Sequence, residues 1–218
     1  MPTKLSRLLA MTGTTVIALA CPLPLRALPG DSRGELLRNW SVSRYLLPKP
    51  EYVRKYTPDY PDLRAKGRAA GGSLAFSIFL NKSGISVDES IDFRPDDCED
   101  RLASCTGKAI FQPDGNSLGH LLISEIFGAE VLEDFKHADR LKAISNSSGN
   151  QHSTSVKRFY AGRRFNYSTF VHSEPGQIRM ISHFTVHKKN DVELWEKIRM
   201  YDYCSKPGRD RDPLCYSE

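Results

Sequence analysis

Apolar and polar side chains alternate along the chain from residue 154 onward, which is the pattern of β-strands with one buried face. The alternation is interrupted by three turn sequences: Gly162-Arg163, Glu174-Pro175-Gly176-Gln177 and Lys188-Lys189-Asn190. Together they predict a four-stranded antiparallel meander over about 154–203. The last strand is the least distinct, because Leu194, Ile198 and Tyr201 would also suit an amphipathic helix, but the alternation favours a strand.

The requirement for one continuous apolar face fixes the expected register of the meander. Tyr160 should lie beside Phe165, and Tyr167 beside Phe184. The same register brings polar residues together on the opposite face. The row predicted to cross that face consists of Lys157, Ser168, His183 and Trp195.

Two further segments carry regular apolar patterns. A β-hairpin is predicted over about 74–93, because apolar residues alternate on both sides of the turn at 81–84, although Glu89 interrupts the second apolar row. Apolar residues recur at helical spacing from Leu118 to Phe135, which predicts a helical region over about 117–142 that Gly128 kinks or splits. The acidic residues between 88 and 100 match no EF-hand pattern and are expected to form a solvated loop.

These elements define an α+β fold, in which the antiparallel meander (154–203) and the hairpin (74–93) pack against the helical region (117–142). The domain they form is expected to cover residues 73–218. Residues 28–72 are predicted to contain a short helix capped by Asp31 or Ser32, followed by a strap rich in proline, tyrosine and basic residues. A curled sheet that closes around a ligand is the alternative architecture.

The first twenty residues have the composition of a signal peptide. A basic segment precedes an apolar stretch from Leu8 to Ala20, where cleavage is predicted, although cleavage as late as Ala27 would also fit. The apolar stretch, about 13 residues long, is too short to span a membrane as a helix. Cleavage after Ala20 would make Cys21 the first residue, where a lipid anchor is an alternative. The protein is therefore expected to be exported to the periplasm or the extracellular space.

Export changes what the remaining cysteines and the net charge imply. An oxidising compartment favours disulfides, and the preferred pairing is Cys98–Cys105 with Cys204–Cys215. Zinc is not expected, because neither spacing matches a zinc knuckle. Loss of the leader reduces the formal net charge from +5 to about +2. So balanced a charge argues against nucleic acid as a partner.

The polar row on the meander is the candidate ligand-binding site. Ser168 between Lys157 and His183 would also suit a nucleophile beside a base. An open sheet face, however, supplies no oxyanion hole. His183 and His187 cannot share one metal ion, because strand residues four positions apart are separated by roughly 13 Å.

The sequence therefore favours an exported, non-catalytic protein that binds a small molecule or a protein, with no metal or cofactor. A hydrolase with Ser168 as its nucleophile and a structural component of the cell envelope are the alternatives. Short motifs for nucleotide binding, zinc proteases, serine hydrolases and dithiol redox chemistry are absent from the sequence. Their absence makes an enzyme less expected without excluding one.

Overall fold

The computed structural model describes residues 28–40, 43–46, 51–54, 61–69, 71–96, 110–115, 117–148, 153–174, 179–190 and 198–199. The predicted signal peptide, Cys21 and Trp195 lie outside the described residues. The predicted disulfides lie outside them too, since none of Cys98, Cys105, Cys204 and Cys215 is described.

Along the described chain, a short helix precedes four strands, and two further helices precede four more strands. The helices are α1 (Arg33–Asn39), α2 (Ser117–Ile126) and α3 (Ala129–Lys136). The first block of strands is β1 (Glu51–Tyr52), β2 (Leu63–Ala69), β3 (Gly72–Leu80) and β4 (Ser86–Pro95). The second block is β5 (Asp139–Ser148), β6 (Ser153–Ala161), β7 (Phe165–Glu174) and β8 (Arg179–Lys188).

All of these strands belong to one antiparallel sheet with the order β1-β2-β3-β4-β8-β7-β6-β5. Each block is a meander of sequential neighbours, and the two meanders join where β4 pairs with β8. The chain therefore leaves the centre of the sheet after β4, passes through α2 and α3, and re-enters at the far edge as β5. The fold is mostly sheet with a few helices, which supports the predicted α+β class only in outline.

The helices pack on one face of the sheet, which we call the inner face. At its centre the Phe184 ring on β8 lies 4.9 Å from the Phe135 ring on α3 and 5.6 Å from the Phe127 ring between the two helices. The buried hydrophobic side chains on the inner face of the sheet include Leu63, Ala65, Ala69, Leu74, Phe76, Ile78, Ile91, Phe93, Tyr160, Phe165, Tyr167, Phe184 and Val186. This aromatic-rich cluster is the core of the protein.

The N-terminal helix forms where the sequence predicts one. Ser32 is its N-cap, and Ser32 and Glu35 form a reciprocal capping box. Leu36 is fully buried against the core, whereas Leu37 is 48% exposed, so the helix presents one narrow apolar stripe. The strap predicted after it is partly wrong, because its described residues include β1 and β2, which extend the sheet beyond β3.

Two other predictions need correction. The helical region ends at Lys136 rather than near residue 142, with a break at Gly128 as expected, and residues 139–148 form the edge strand β5. Polar residues dominate this strand, so no apolar alternation marked it in the sequence. The last predicted strand of the meander is also wrong where it is described, since Ile198 and Arg199 are helical.

The register of the meander differs from the prediction by two residues in both hairpins, although the faces are correct. Tyr160 pairs with Tyr167 instead of Phe165, and Tyr167 pairs with Val186 instead of Phe184. In the first hairpin the turn residues are Arg163 and Arg164, because Gly162 donates its amide hydrogen to the Phe165 carbonyl at 2.9 Å. The predicted turn, Gly162-Arg163, is one residue early.

A contact with helix α3 explains this turn. The Asp134 carboxylate accepts hydrogen bonds from the backbone amides of Arg163, Arg164 and Phe165, and from the Tyr167 hydroxyl at 2.7 Å. Partial burial would raise the pKa of Asp134, but these donors together lower it. A Cβ atom at position 162 would lie 2.3 Å from the Asp134 carboxylate, so glycine is required there.

Candidate functional site

The face of the sheet opposite the helices, which we call the outer face, carries the candidate site. A row of small hydroxyl residues crosses its centre: Ser77 on β3, Ser90 on β4, Thr185 on β8 and Ser168 on β7. These four residues are buried, each with at most 6% of its surface exposed. Taller side chains flank the row on both sides, and each flank contains an aspartate paired with a histidine.

The first pair links β4, β8 and β7. Asp88 lies directly opposite His187 in the ladder, and its carboxylate is 2.6 Å from His187 Nδ1. His187 Nε2 is in turn 2.9 Å from Ser168 Oγ. A neutral imidazole in this position donates Nδ1–H to Asp88 and accepts the Ser168 hydroxyl hydrogen at Nε2. We call this chain of hydrogen bonds the first relay.

The second relay repeats this arrangement on the other flank. Asp92 lies opposite His183 in the ladder and contacts its Nδ1 atom, and His183 Nε2 is 2.7 Å from Thr185 Oγ1. The exposed fractions are 29% for the His183 side chain and 24% for Asp92. In the first relay Asp88 is 27% exposed, but His187 only 9%. Solvent therefore reaches both carboxylates and one imidazole, while the hydroxyl groups lie beneath.

The predicted polar row forms only in part. Lys157, Ser168 and His183 do lie on the outer face, but Lys157 and His183 both pair with Phe170, so Ser168 is one row away from each. The histidine that contacts Ser168 is His187, and Lys157 lies 5.4 Å from the Phe159 ring. The two-residue shift in register accounts for these exchanges.

The aspartates of the relays were missed in the sequence. Asp88 and Asp92 belong to strand β4 and not to a solvated acidic loop. A signal for them was available, because two aspartates four residues apart and two histidines four residues apart can pair twice across one antiparallel ladder. Recognising it required knowing that β4 and β8, about ninety residues apart in the chain, are neighbours in the sheet.

The first relay has the connectivity of a serine–histidine–aspartate triad, but its surroundings differ from those of a hydrolase site. Ser168 is only 4% exposed. Strand β7 lies between β6 and β8, so backbone amides near Ser168 are used in the two ladders. Acyl transfer needs unpaired donors aimed at the developing oxyanion, and this part of the sheet offers none from its backbone.

Glu89 is an unusual neighbour of the relays, because it lies between Asp88 and Ser90 but points to the inner face. The residue is fully buried, and its Oε1 atom accepts a hydrogen bond from Ser86 Oγ at 3.0 Å. Its other carboxyl oxygen has no hydrogen-bond partner within the described part of the chain. Burial raises the pKa of Glu89 to about 8, despite the opposing effect of the Ser86 hydrogen bond. At neutral pH this carboxyl group is mainly protonated.

Comparisons of the chain with protein-family models, curated proteins and solved structures found no match. Among the described helices, none combines the length and apolar character needed to cross a membrane. In the same part of the chain, no group of three or more histidine, cysteine, aspartate and glutamate side chains is placed to hold a metal ion.

Proposed function

We propose that this chain is an exported, non-catalytic protein that binds a neutral, hydroxyl-rich ligand such as a saccharide on the outer face of its sheet. The observation that carries the proposal is the pair of relays, Asp88–His187–Ser168 and Asp92–His183–Thr185. Export is proposed from the leader at residues 1–20, and the intact mass of the mature protein tests its removal.

The chemistry of the relays favours hydroxyl groups as binding partners. A carboxylate offers acceptors only, whereas an imidazole and the Ser or Thr hydroxyl each offer a donor and an acceptor. A sugar hydroxyl can both donate to Asp92 and accept from a neighbouring group, so it matches such a mixed surface. The half-buried Phe170 ring beside His183 adds an apolar surface on the same face.

The pairing of each aspartate with a histidine also favours a neutral ligand. Two carboxylates without hydrogen-bond donors would attract cations. Here, however, each carboxylate already accepts a hydrogen bond from an imidazole. The relays fix the orientation of both imidazoles, so little side-chain entropy is lost when a ligand binds. Preorganised polar groups of this kind give specificity at a modest cost.

A saccharide panel tests the proposal, by glycan array and then by calorimetry on the tightest binder. Asp92→Asn should weaken binding at least about ten-fold, because it removes a charged acceptor and disturbs the imidazole beside it. The matched control is Asp96→Asn, which makes the same change at an exposed aspartate that lies just beyond the end of the same strand and pairs with Arg68. Equal affinity of the two variants, or no binding to any member of the panel, would contradict the proposal.

A hydrolase centred on Ser168 is the second candidate, favoured by the distances within the first relay. The two candidates differ in their response to Ser168→Ala. A binding protein should keep its saccharide affinity within a few-fold, since the relay also has an imidazole and a carboxylate. A hydrolase should lose turnover, and its Ser168 should react with a fluorophosphonate probe in the wild-type protein. Labelling of Ser168 would replace the first candidate by the second.

A further inference from the structure

Two buried hydroxyl groups on the inner face have no hydrogen-bond partner among the residues that the structure describes. Thr169 on β7 and Ser182 on β8 are each only 1% exposed, and these unpaired groups are Thr169 Oγ1 and Ser182 Oγ. Most buried hydroxyl groups in proteins are hydrogen-bonded, because leaving one unpaired is costly. Two neighbouring exceptions therefore point to a polar group that the protein binds at this place.

The two hydroxyls are close to each other and to a cation. In the ladder Thr169 pairs with Phe184, and Ser182 lies two residues before Phe184 on β8, so Thr169 and Ser182 are diagonal neighbours. Arg158 on β6 pairs directly with Thr169 on the same face and is half-buried. Within the described part of the chain, no hydrogen bond or ion pair engages the Arg158 guanidinium.

These three groups favour a ligand that accepts hydrogen bonds. A guanidinium only donates, and hydroxyl groups can donate to the same acceptor. The described inner-face side chains of β5–β8 include no carboxylate that could serve as the acceptor within the protein. These side chains are Arg140, Ala143, Val156, Arg158, Tyr160, Phe165, Tyr167, Thr169, Val171, Ser182, Phe184, Val186 and Lys188.

The spacing fits a carboxylate better than a water molecule. Diagonal neighbours in an antiparallel pair have their Cα atoms roughly 7–8 Å apart. A carboxylate can accept one hydroxyl hydrogen bond of about 2.7 Å at each of its two oxygens, and so spans nearly that distance. A single water, which bridges through one oxygen atom, spans less. The guanidinium opposite Thr169 can then donate to the same carboxylate.

We infer that Arg158, Thr169 and Ser182 form a binding site for the carboxylate of a ligand on the inner face, separate from the relays on the outer face. Val156 and Val171 pair with each other two residues further along the strands, on the same face, and both are half-buried. They offer apolar surface beside the site, where the remainder of an amphipathic carboxylate would lie.

Calorimetry with three probes tests the site: decanoate, decanol and acetate. Decanoate should bind, and decanol should bind at least about ten-fold more weakly, because it lacks the charged acceptor. If acetate binds as tightly as decanoate, the ligand is a small carboxylate, and the site is supported without the apolar contact. Failure of both carboxylates to bind would overturn the inference.

Variants show whether these three residues hold the carboxylate. Arg158→Met and the double substitution Thr169→Val with Ser182→Ala should each weaken decanoate binding at least about ten-fold. The matched control is Arg94→Met, at an exposed arginine on the outer face, which should leave binding unchanged. Thr169→Val and Ser182→Ala remove unpaired polar atoms, so both variants should fold at least as stably as the wild type. Unchanged binding in the Thr169/Ser182 double variant would also contradict the site.

Discussion

The two faces of the sheet bury polar side chains in different ways. On the outer face, Ser168, Thr185 and His187 are buried, and each is hydrogen-bonded within a relay. On the inner face, Glu89, Thr169 and Ser182 are also buried, but each has a polar atom without a hydrogen-bond partner among the described residues. Tyr167 on the same face differs from them, because Asp134 accepts a hydrogen bond from its hydroxyl.

The two faces therefore differ in how the cost of burying polar groups is met. Hydrogen bonds within a connected network offset the desolvation free energy of its buried polar groups. A buried polar atom without a partner has no such compensation. On the inner face, burial of the aromatic cluster around Phe184 offsets the cost of these unpaired polar atoms. Among the described residues, the outer face has no aromatic cluster of this size, and its relays connect the buried hydroxyls to carboxylates that are partly exposed.

The largest expected effect contrasts two phenylalanines on neighbouring strands. Phe184→Ala should lower the free energy of unfolding by about 3–5 kcal/mol, because the Phe184 ring is fully buried and contacts four other aromatic rings. Phe170→Ala on the outer face should cost less than about 2 kcal/mol, since that ring is only half-buried. Urea denaturation of both variants measures the difference. If both variants lost the same free energy of unfolding, the hydrophobic core could not lie mainly on the inner face.

A smaller effect is expected from the titration of Glu89. Its pKa is raised from 4.5 to about 8 on folding, so the unfolded chain loses this proton at a lower pH than the folded protein does. The contribution of Glu89 to stability should therefore fall as the pH rises from 4.5 to about 8, and then level off. Over this window the loss is on the order of a few kcal/mol.

Glu89→Gln isolates this contribution. Glutamine resembles the protonated carboxyl group and does not titrate, so the variant should lose much less stability than the wild type between pH 5 and pH 8. Denaturation curves at matched pH values measure the difference. Parallel pH profiles for the two proteins would show that Glu89 is ionised in the folded state and that its surroundings differ from those described.

The smallest expected effect is the coupling within the first relay. Ser168→Ala and His187→Gln should show a coupling energy of at least about 0.5 kcal/mol in a double-mutant cycle, because the two side chains share a hydrogen bond. Ser182→Ala combined with His187→Gln is the control, since these residues lie on opposite faces and should be additive. Additivity in both cycles would mean that the relay is not a connected network.

Much of the fold could be predicted from the sequence, because alternation determines which face a side chain occupies. The hairpin of β3 and β4, the break at Gly128 and the faces of β6, β7 and β8 were predicted in this way. The exact strand register was not predicted. When the turn lies one residue later, every side chain stays on the same face, but its partner on the next strand changes by two residues. The turn at Arg163 and Arg164 depends on Asp134, thirty residues earlier, and no local pattern shows that contact.

The candidate site was less predictable for the same reason. Ser168 and His183 were placed on the correct face, but their partners depend on the register and on the neighbouring strand β4. The edge strand β5 was missed because it is mostly polar and carries no apolar alternation. Long-range pairing therefore decides which polar groups meet, while the local pattern decides only on which side of the sheet they lie.

Chemical-shift mapping by NMR with the tightest saccharide from the panel shows directly which face of the sheet binds it. We expect the amides of Asp88, Asp92, His183 and His187 to shift on titration, while those of the helices α2 and α3 do not. Shifts centred on the helices, or a panel in which no saccharide binds, would contradict recognition by the outer face.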